Sequence, residues 1–230
     1  FSVDTSNKSI LCKPSSSSKF LLYPSSDVDK SYNTYSVKFN FDSSTPLCSA
    51  GLFFNMNPSS PSNTMYLELV RYKSGTDYRY LVVLSEEGFA PTAYADITGL
   101  AQSIISNFFK LYRKNNSSLG DPAVGTDGQN AYILYTSPKE TFNLRFAAVP
   151  YDYSVDGEGE VAYPTGYVMQ VFLNNYEITG WQQYIGGKWT NTNLNNVTGI
   201  RKKVRLAFKA DAGTKFGAFV SSNPTAISPT

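Results

Sequence analysis

The chain has no histidine among its 230 residues. That single absence excludes Ser-His-Asp and Cys-His nucleophile systems, HExxH zinc sites and imidazole proton shuttles. Cysteine is nearly absent too: Cys12 and Cys48 are too few to close a four-ligand structural zinc site by themselves. Neither GxGxxG nor the Walker-type GxxxxGK pattern occurs, so no glycine loop for cradling phosphate is expected. Charge is sparse at 17% of residues, where about a quarter is usual. The 20 Lys+Arg and 18 Asp+Glu almost cancel, leaving none of the basic excess of a nucleic-acid binder. No apolar run nears the roughly 18–20 residues that cross a bilayer, and FSVDTSNKSI does not read as a signal peptide. The expectation is no cofactor, no metal centre, no nucleic acid, no membrane insertion and no enzyme activity. Phe1 rather than Met opens the chain, which suggests a processed piece of something larger.

What is present points to β-structure. Aromatics make up 15%, with 17 Tyr and 15 Phe against 2 Trp and 3 Met. Solubility falls to 28 Ser, 18 Thr and 18 Asn, a composition suited to a β-rich, extracellular-type surface. The length fits one large domain or two small ones. There is no internal repeat and no linker dividing two cores.

Residues 1–34 read as a Ser-rich lead-in packed on the domain, with one short strand at Phe20 to Tyr23. From Tyr35 the texture changes: Tyr35, Val37, Phe39 and Phe41 alternate with Ser36, Lys38, Asn40 and Asp42, the period of a half-buried strand. GLFFNMN (51–57) is the next strand. MYLELVRY (65–72) and YRYLVVL (78–84) form a hairpin across a five-residue connector, Lys73 to Asp77, that contains Gly75. Ile97, Leu100, Ala101, Ile104, Ile105 and Phe108 carry helical spacing, which predicts one short helix near residues 97–106 with Asp96 as its N-cap. FFKLYRK (108–114) could continue the helix but reads better as strand, because aromatic and basic residues then alternate, and 114–129 reads as a long surface loop. Further strands are expected at 131–136, 141–149, 167–173, 176–179, 204–208 and 216–220. Gly186-Gly187 should turn a hairpin between Gln182–Ile185 and Lys188–Trp189. The pattern predicts an all-β fold, a single antiparallel β-sandwich or barrel-like domain over residues 35–230.

The most informative stretch for function is NNYEITGWQQYIGGKWTNTNLNN (174–196), which holds both tryptophans and six Asn. Aromatic faces beside amide side chains provide what a sugar ring or a protein partner requires, an apolar plate flanked by donors and acceptors. The candidate binding residues are Trp181, Gln183, Tyr184, Lys188, Trp189 and Asn191. The competing account is that one or both tryptophans plug the core. Asp152, Asp156, Glu158 and Glu160 form either a calcium loop or, as favoured here, a solvated acidic turn. Paired carboxylates for glycoside hydrolysis are disfavoured, because Glu68 and Asp42 read as strand exteriors and Glu86-Glu87 as neighbours facing opposite ways. Arg201-Lys202-Lys203 with Arg205 reads as edge protection more readily than as a sulfated-glycan or sialic-acid site. Sequons stand at Asn7, Asn115, Asn116 and Asn196, and whether Cys12 bridges Cys48 is open from sequence.

Three stretches, GLFFNMN (51–57), MYLELVRYK with YRYLVVL (65–84) and YVMQVFLNNYEITGW (167–181), give the chain the texture of a non-enveloped virus projection domain. Over most of its length it resembles the astrovirus capsid spike. That resemblance implies a homodimeric spike on the virion surface that engages a host-cell receptor, protein or glycan, and is targeted by neutralising antibodies. It aligns no motif that would transfer individual receptor-binding residues. The alternative is a lectin-like carbohydrate-binding sandwich of a secreted or phage protein.

Overall fold

The computed structural model describes residues 2–4, 9–11, 19–23, 34–41, 47–60, 62, 64–87, 92–108, 110–114, 124–127, 130–134, 140–155, 161–197, 215–222 and 224. Within these, the chain forms β1 (Ser2–Asp4), β2 (Ser9–Leu11), β3 (Lys19–Leu22), β4 (Thr34–Phe41), β5 (Leu47–Met56), β6 (Met65–Ser74), β7 (Asp77–Glu86) and β8 (Ala93–Asp96). The helix α1 (Thr98–Phe108) follows, then β9 (Lys110–Lys114), β10 (Val124–Asp127), β11 (Asn130–Leu134), β12 (Glu140–Val155) and β13 (Val161–Leu173). The last elements are β14 (Tyr176–Glu177), β15 (Trp181–Ile185), β16 (Lys188–Thr192), a 3-10 turn at Leu194–Asn196 and β17 (Lys215–Ser221).

Two sheets carry the architecture. The larger has eight strands in the order β16-β15-β8-β7-β6-β5-β17-β3, and the smaller has four in the order β14-β13-β12-β4. Neighbouring strands are antiparallel throughout. Among the described residues, the expected all-β, sandwich-like fold with a single short helix is therefore observed. Two small sheets, β1-β2 and β10-β11-β9, also lie among the described residues.

The sandwich closes because both sheets present an apolar face. Leu52 and Phe54, Met65, Leu67 and Leu69, and Val82 and Leu84 from the large sheet share one core with Phe142, Leu144, Phe146, Met169, Val171 and Leu173 of the small one. Phe54 meets Phe146 at 5.0 Å between ring centroids, and Tyr80 meets Phe142 at 5.8 Å, so aromatic contacts cross the inter-sheet gap. Each fully buried side chain of this size contributes roughly 1.5–3 kcal/mol of transfer free energy. The strict alternation of β4 directs Tyr35, Val37, Phe39 and Phe41 onto this core and leaves Ser36, Lys38 and Asn40 exposed. The helix lies against β7 through Thr98, whose hydroxyl accepts from the Tyr80 backbone N–H at 3.0 Å. Ile97 and Ala101 enter the core beneath it.

Several local expectations are corrected. The β6–β7 connector is two residues, not five, because the ladder continues to Ser74 opposite Asp77 and Gly75 takes φ +64°. The helix runs Thr98–Phe108, later at both ends than 97–106, and the Asp96 carboxylate accepts from the Thr98 N–H at 2.9 Å. Val124–Asp127, expected as loop, pairs with β11 as a strand. The lead-in holds three strands rather than one, and the third, β3, extends the large sheet beyond β17. β12 reaches Val155, so Asp152 stands on a strand. The expected strand at 204–208 lies outside the described residues.

Glu68 also departs from expectation. It faces away from the core, as the alternation requires, yet it is fully buried, because the outer face of the large sheet is covered over its middle strands. Phe53, Met56, Tyr66 and Phe219 cluster there, as do Val70, Leu81, Val83 and Tyr94.

Candidate recognition site

The hairpin β15–β16 forms one end of the large sheet. Gly186 and Gly187 both hold positive φ, +59° and +86°, the backbone that a two-residue turn matched to strand twist demands. The register places Tyr184 opposite Trp189 and Gln182 opposite Asn191. β15 joins the sheet through β8, where Gln182 faces Tyr94. Side chains alternate across this ribbon, so Tyr94, Gln182, Tyr184, Trp189 and Asn191 fall on its outer face.

On that face three rings form a ladder. Trp189 meets Tyr94 edge-on at 4.6 Å and 87°, and Tyr184 at 5.3 Å and 61°. Tyr184 is 54% exposed, Trp189 is half-buried, and Tyr94 is buried at the root. Beside the rings runs a chain of polar contacts. The Tyr94 hydroxyl donates to Gln182 Oε1, and Gln182 Nε2 donates to Asn191 Oδ1 at 3.3 Å. This direction leaves the Asn191 amide N–H groups as exposed donors at the strand edge. Burial, then the charge of Asp96 and then Tyr72, push the Tyr94 hydroxyl above its ordinary pKa, so it stays protonated and donating. Arg79 and Asp96 on the same face approach to 3.6 Å and offset each other. The surface is aromatic, amide-lined and close to neutral.

The six residues singled out from sequence do not converge. Trp181 is only 2% exposed, belongs to the core, and donates its indole N–H to the Ile178 carbonyl at 3.0 Å. Gln183 and Lys188 occupy ribbon positions facing away from the Trp189 side. Tyr184, Trp189 and Asn191 do come together. Gln182 and Tyr94 join them, and neither was among the six. Gln182 is two residues from Tyr184 and so shares its face by strand alternation, a signal within reach of sequence reasoning. Tyr94 is adjacent only through sheet pairing.

A second cluster, at the end of the core, is structural. Arg71 sits on the core face of β6 with its side chain fully buried, and its guanidinium donates to Glu140 Oε2 at 2.9 Å across the sheets. Its Cζ lies 4.5 Å from the Tyr78 ring centroid and 5.3 Å from that of Phe41. Burial alone would lower the Arg71 pKa, but Cys48, which faces it on β5, and the Glu140 carboxylate outweigh that and raise it. Arg71 is thus a permanent charge that staples the two sheets.

Other candidates separate in the same way. Glu87 pairs with Lys19 at 3.6 Å. Among the described residues no three His, Cys, Asp or Glu side chains converge as a metal site. No helix among them is long and apolar enough to cross a membrane. Asp156, Glu158, Glu160, Arg201, Lys202, Lys203, Arg205, Cys12, Asn7, Asn115 and Asn116 lie outside the described residues. Asn196 is exposed on the 3-10 turn, next to Asn195, whose amide clamps the Met169 backbone N–H and carbonyl. Comparison with protein-family models, with curated proteins and with solved structures finds no match to this chain.

Proposed function

We propose that this chain is a non-catalytic recognition domain that engages its partner through the outer face of the β15–β16 hairpin. The observation carrying this reading is the Tyr94–Trp189–Tyr184 ring ladder, flanked by the Gln182–Asn191 amide chain at a sheet edge. Trp and Tyr side chains of this kind dominate binding hot spots, and their half-buried anchoring holds them in position before a ligand arrives. The biological setting we infer is attachment of a virion-surface spike to a host-cell receptor, with the spike as a homodimer exposed to antibodies. Its alternative is a lectin-like sandwich, favoured by the two outward amide donors of Asn191 beside an aromatic plate.

Trp189→Ala and Tyr184→Ala chains, checked for intact folding, should lose at least about tenfold in binding to susceptible cells, a loss of the size hot-spot residues give. Unchanged cell binding in both variants would refute the site. A glycan array separates the two settings, since simple-sugar binding that depends on Trp189 supports the lectin-like one. Light scattering reports the dimer.

A further inference from the structure

We propose a second binding site, for a carboxylate-bearing sugar, on the outer face of the four-stranded sheet and centred on Arg145. It shares no residue with the hairpin surface and does not rest on that reading.

The outer face of β12 and β13 places Arg145 directly opposite Phe172, and Ser36 of β4 opposite Arg145 on its other side. The Arg145 Cζ stands 4.1 Å from the Phe172 ring centroid. Arg145 Nε is buried and makes no hydrogen bond. The guanidinium is therefore held over an aromatic plate and desolvated along one edge, with its Nη groups left to meet a ligand. The ion pairs among the described residues are Lys19–Glu87, Arg71–Glu140 and Arg79–Asp96, and Arg145 takes part in none of them. Lys38, exposed and likewise outside these pairs, lies diagonally from Arg145, since it faces Asn143 on the adjacent strand. Diagonal neighbours in an antiparallel pair are about 7–8 Å apart, a span that one carboxylate with its sugar ring can bridge.

The acid nearest in register is Glu177, one strand beyond Phe172, and its Oε1 accepts from Gln170 Nε2 at 3.2 Å. Among the described residues the face thus carries two cations to one anion, and the anion is turned toward Gln170. A guanidinium fork that is pre-ordered and unpaired matches a carboxylate bidentately. The surrounding groups are those of sugar recognition: the hydroxyl of Ser36 and the amides of Asn143 and Gln170. A protein partner would require an apolar centre to the patch. Here Arg145 covers Phe172, and among the described side chains of this face Val168 is the one large hydrophobic that is exposed, at 41%. The chemistry favours a sugar acid over an acidic protein loop.

The test titrates the intact chain with methyl glucuronide, methyl glucoside and a Glu-rich peptide, following the arginine side-chain signals by NMR. Saturable shifts of the Arg145 signal with the glucuronide, absent with the glucoside and weakened by added salt, are expected. Arg145→Lys should weaken binding at least about tenfold by losing the fork, and Lys38→Gln about two- to threefold by losing a screened charge. Equal response to glucoside and glucuronide overturns the proposal, and so does an unchanged affinity in folded Arg145→Lys. If Arg145→Lys fails to fold, Lys38→Gln decides, because Lys38 is exposed: unaltered affinity counts against the site. Saturation by the peptide at lower concentration than the glucuronide overturns the assignment to a sugar.

Discussion

The two broad sheets treat their outer faces in opposite ways. In the eight-stranded sheet the middle strands are buried on both sides: β6 is buried from Met65 through Arg71, and β7 from Tyr80 through Ser85. In the four-stranded sheet β4 alternates exposed and half-buried along its whole length. The difference follows the texture of the strands. MYLELVRY and YLVVL are nearly continuous apolar runs, the pattern of a sheet covered on both faces, whereas TYSVKFNF alternates strictly. It also shows where recognition surfaces can form. Both proposed sites lie where cover stops, one on the β15–β16 end of the large sheet and one on the open face of the small sheet.

The sharpest break of this comparison is Gly51→Ala. A Cβ at Gly51 would stand 2.0 Å from the Leu67 carbonyl oxygen of the neighbouring strand β6, which is buried on both faces. The expected loss is on the order of 4 kcal/mol or more, or no folding at all, read from the urea midpoint. The two tryptophans of one hairpin come next. Trp181→Ala should cost about 3–5 kcal/mol as a core truncation, while Trp189→Ala, which loses ring contacts at a half-exposed site, should cost about 1–2 kcal/mol. Costs that come out equal would remove the distinction between plug and platform.

A matched valine pair then compares the outer faces themselves. Val83 is fully buried on the outer face of the large sheet, and Val168 is exposed on that of the small one. Val83→Ala should lose about 1.5–2.5 kcal/mol and Val168→Ala less than about 0.5 kcal/mol in the same denaturation assay. The last test is alkaline. Tyr66 and Tyr80, one on each face of the large sheet, are both pushed well above the ordinary phenol value, chiefly by burial and next by Glu87 and Glu140 respectively. Their stabilising contribution is complete below about pH 10, where folded and unfolded chains are both protonated. Above it only the unfolded phenols ionise, so stability should fall by up to about 1.4 kcal/mol per pH unit for each tyrosine. Tyr80→Phe should flatten that slope by about half, checked by unfolding midpoints between pH 9 and pH 11.5.

Much of the fold was legible because its signals are local. Alternation in β4, the hydrophobic spacing of α1 and the Gly186-Gly187 turn each depend on a few neighbouring residues, and each appears where expected. Their exact ends were less legible, since the β6–β7 ladder runs past Tyr72 and Tyr78 only because the two strands meet in register. Of the six residues singled out, Tyr184, Trp189 and Asn191 share one outer face of the hairpin. Trp181 was drawn into it because a tryptophan near amides looks the same in sequence whether it plugs a core or lines a surface.

Composition and periodicity alone pointed to an all-β domain, sandwich or barrel-like, with a short helix near residues 97–106, and closed it to chemistry built on histidine. Which strands lie at the edges, which faces are covered, and which side chains meet were decided only by the tertiary structure. Strand formation depends on neighbours along the chain. The contacts of Tyr94 with Gln182 and of Arg145 with Phe172 depend on pairing between strands that are distant or antiparallel in sequence, and no local pattern encodes that register.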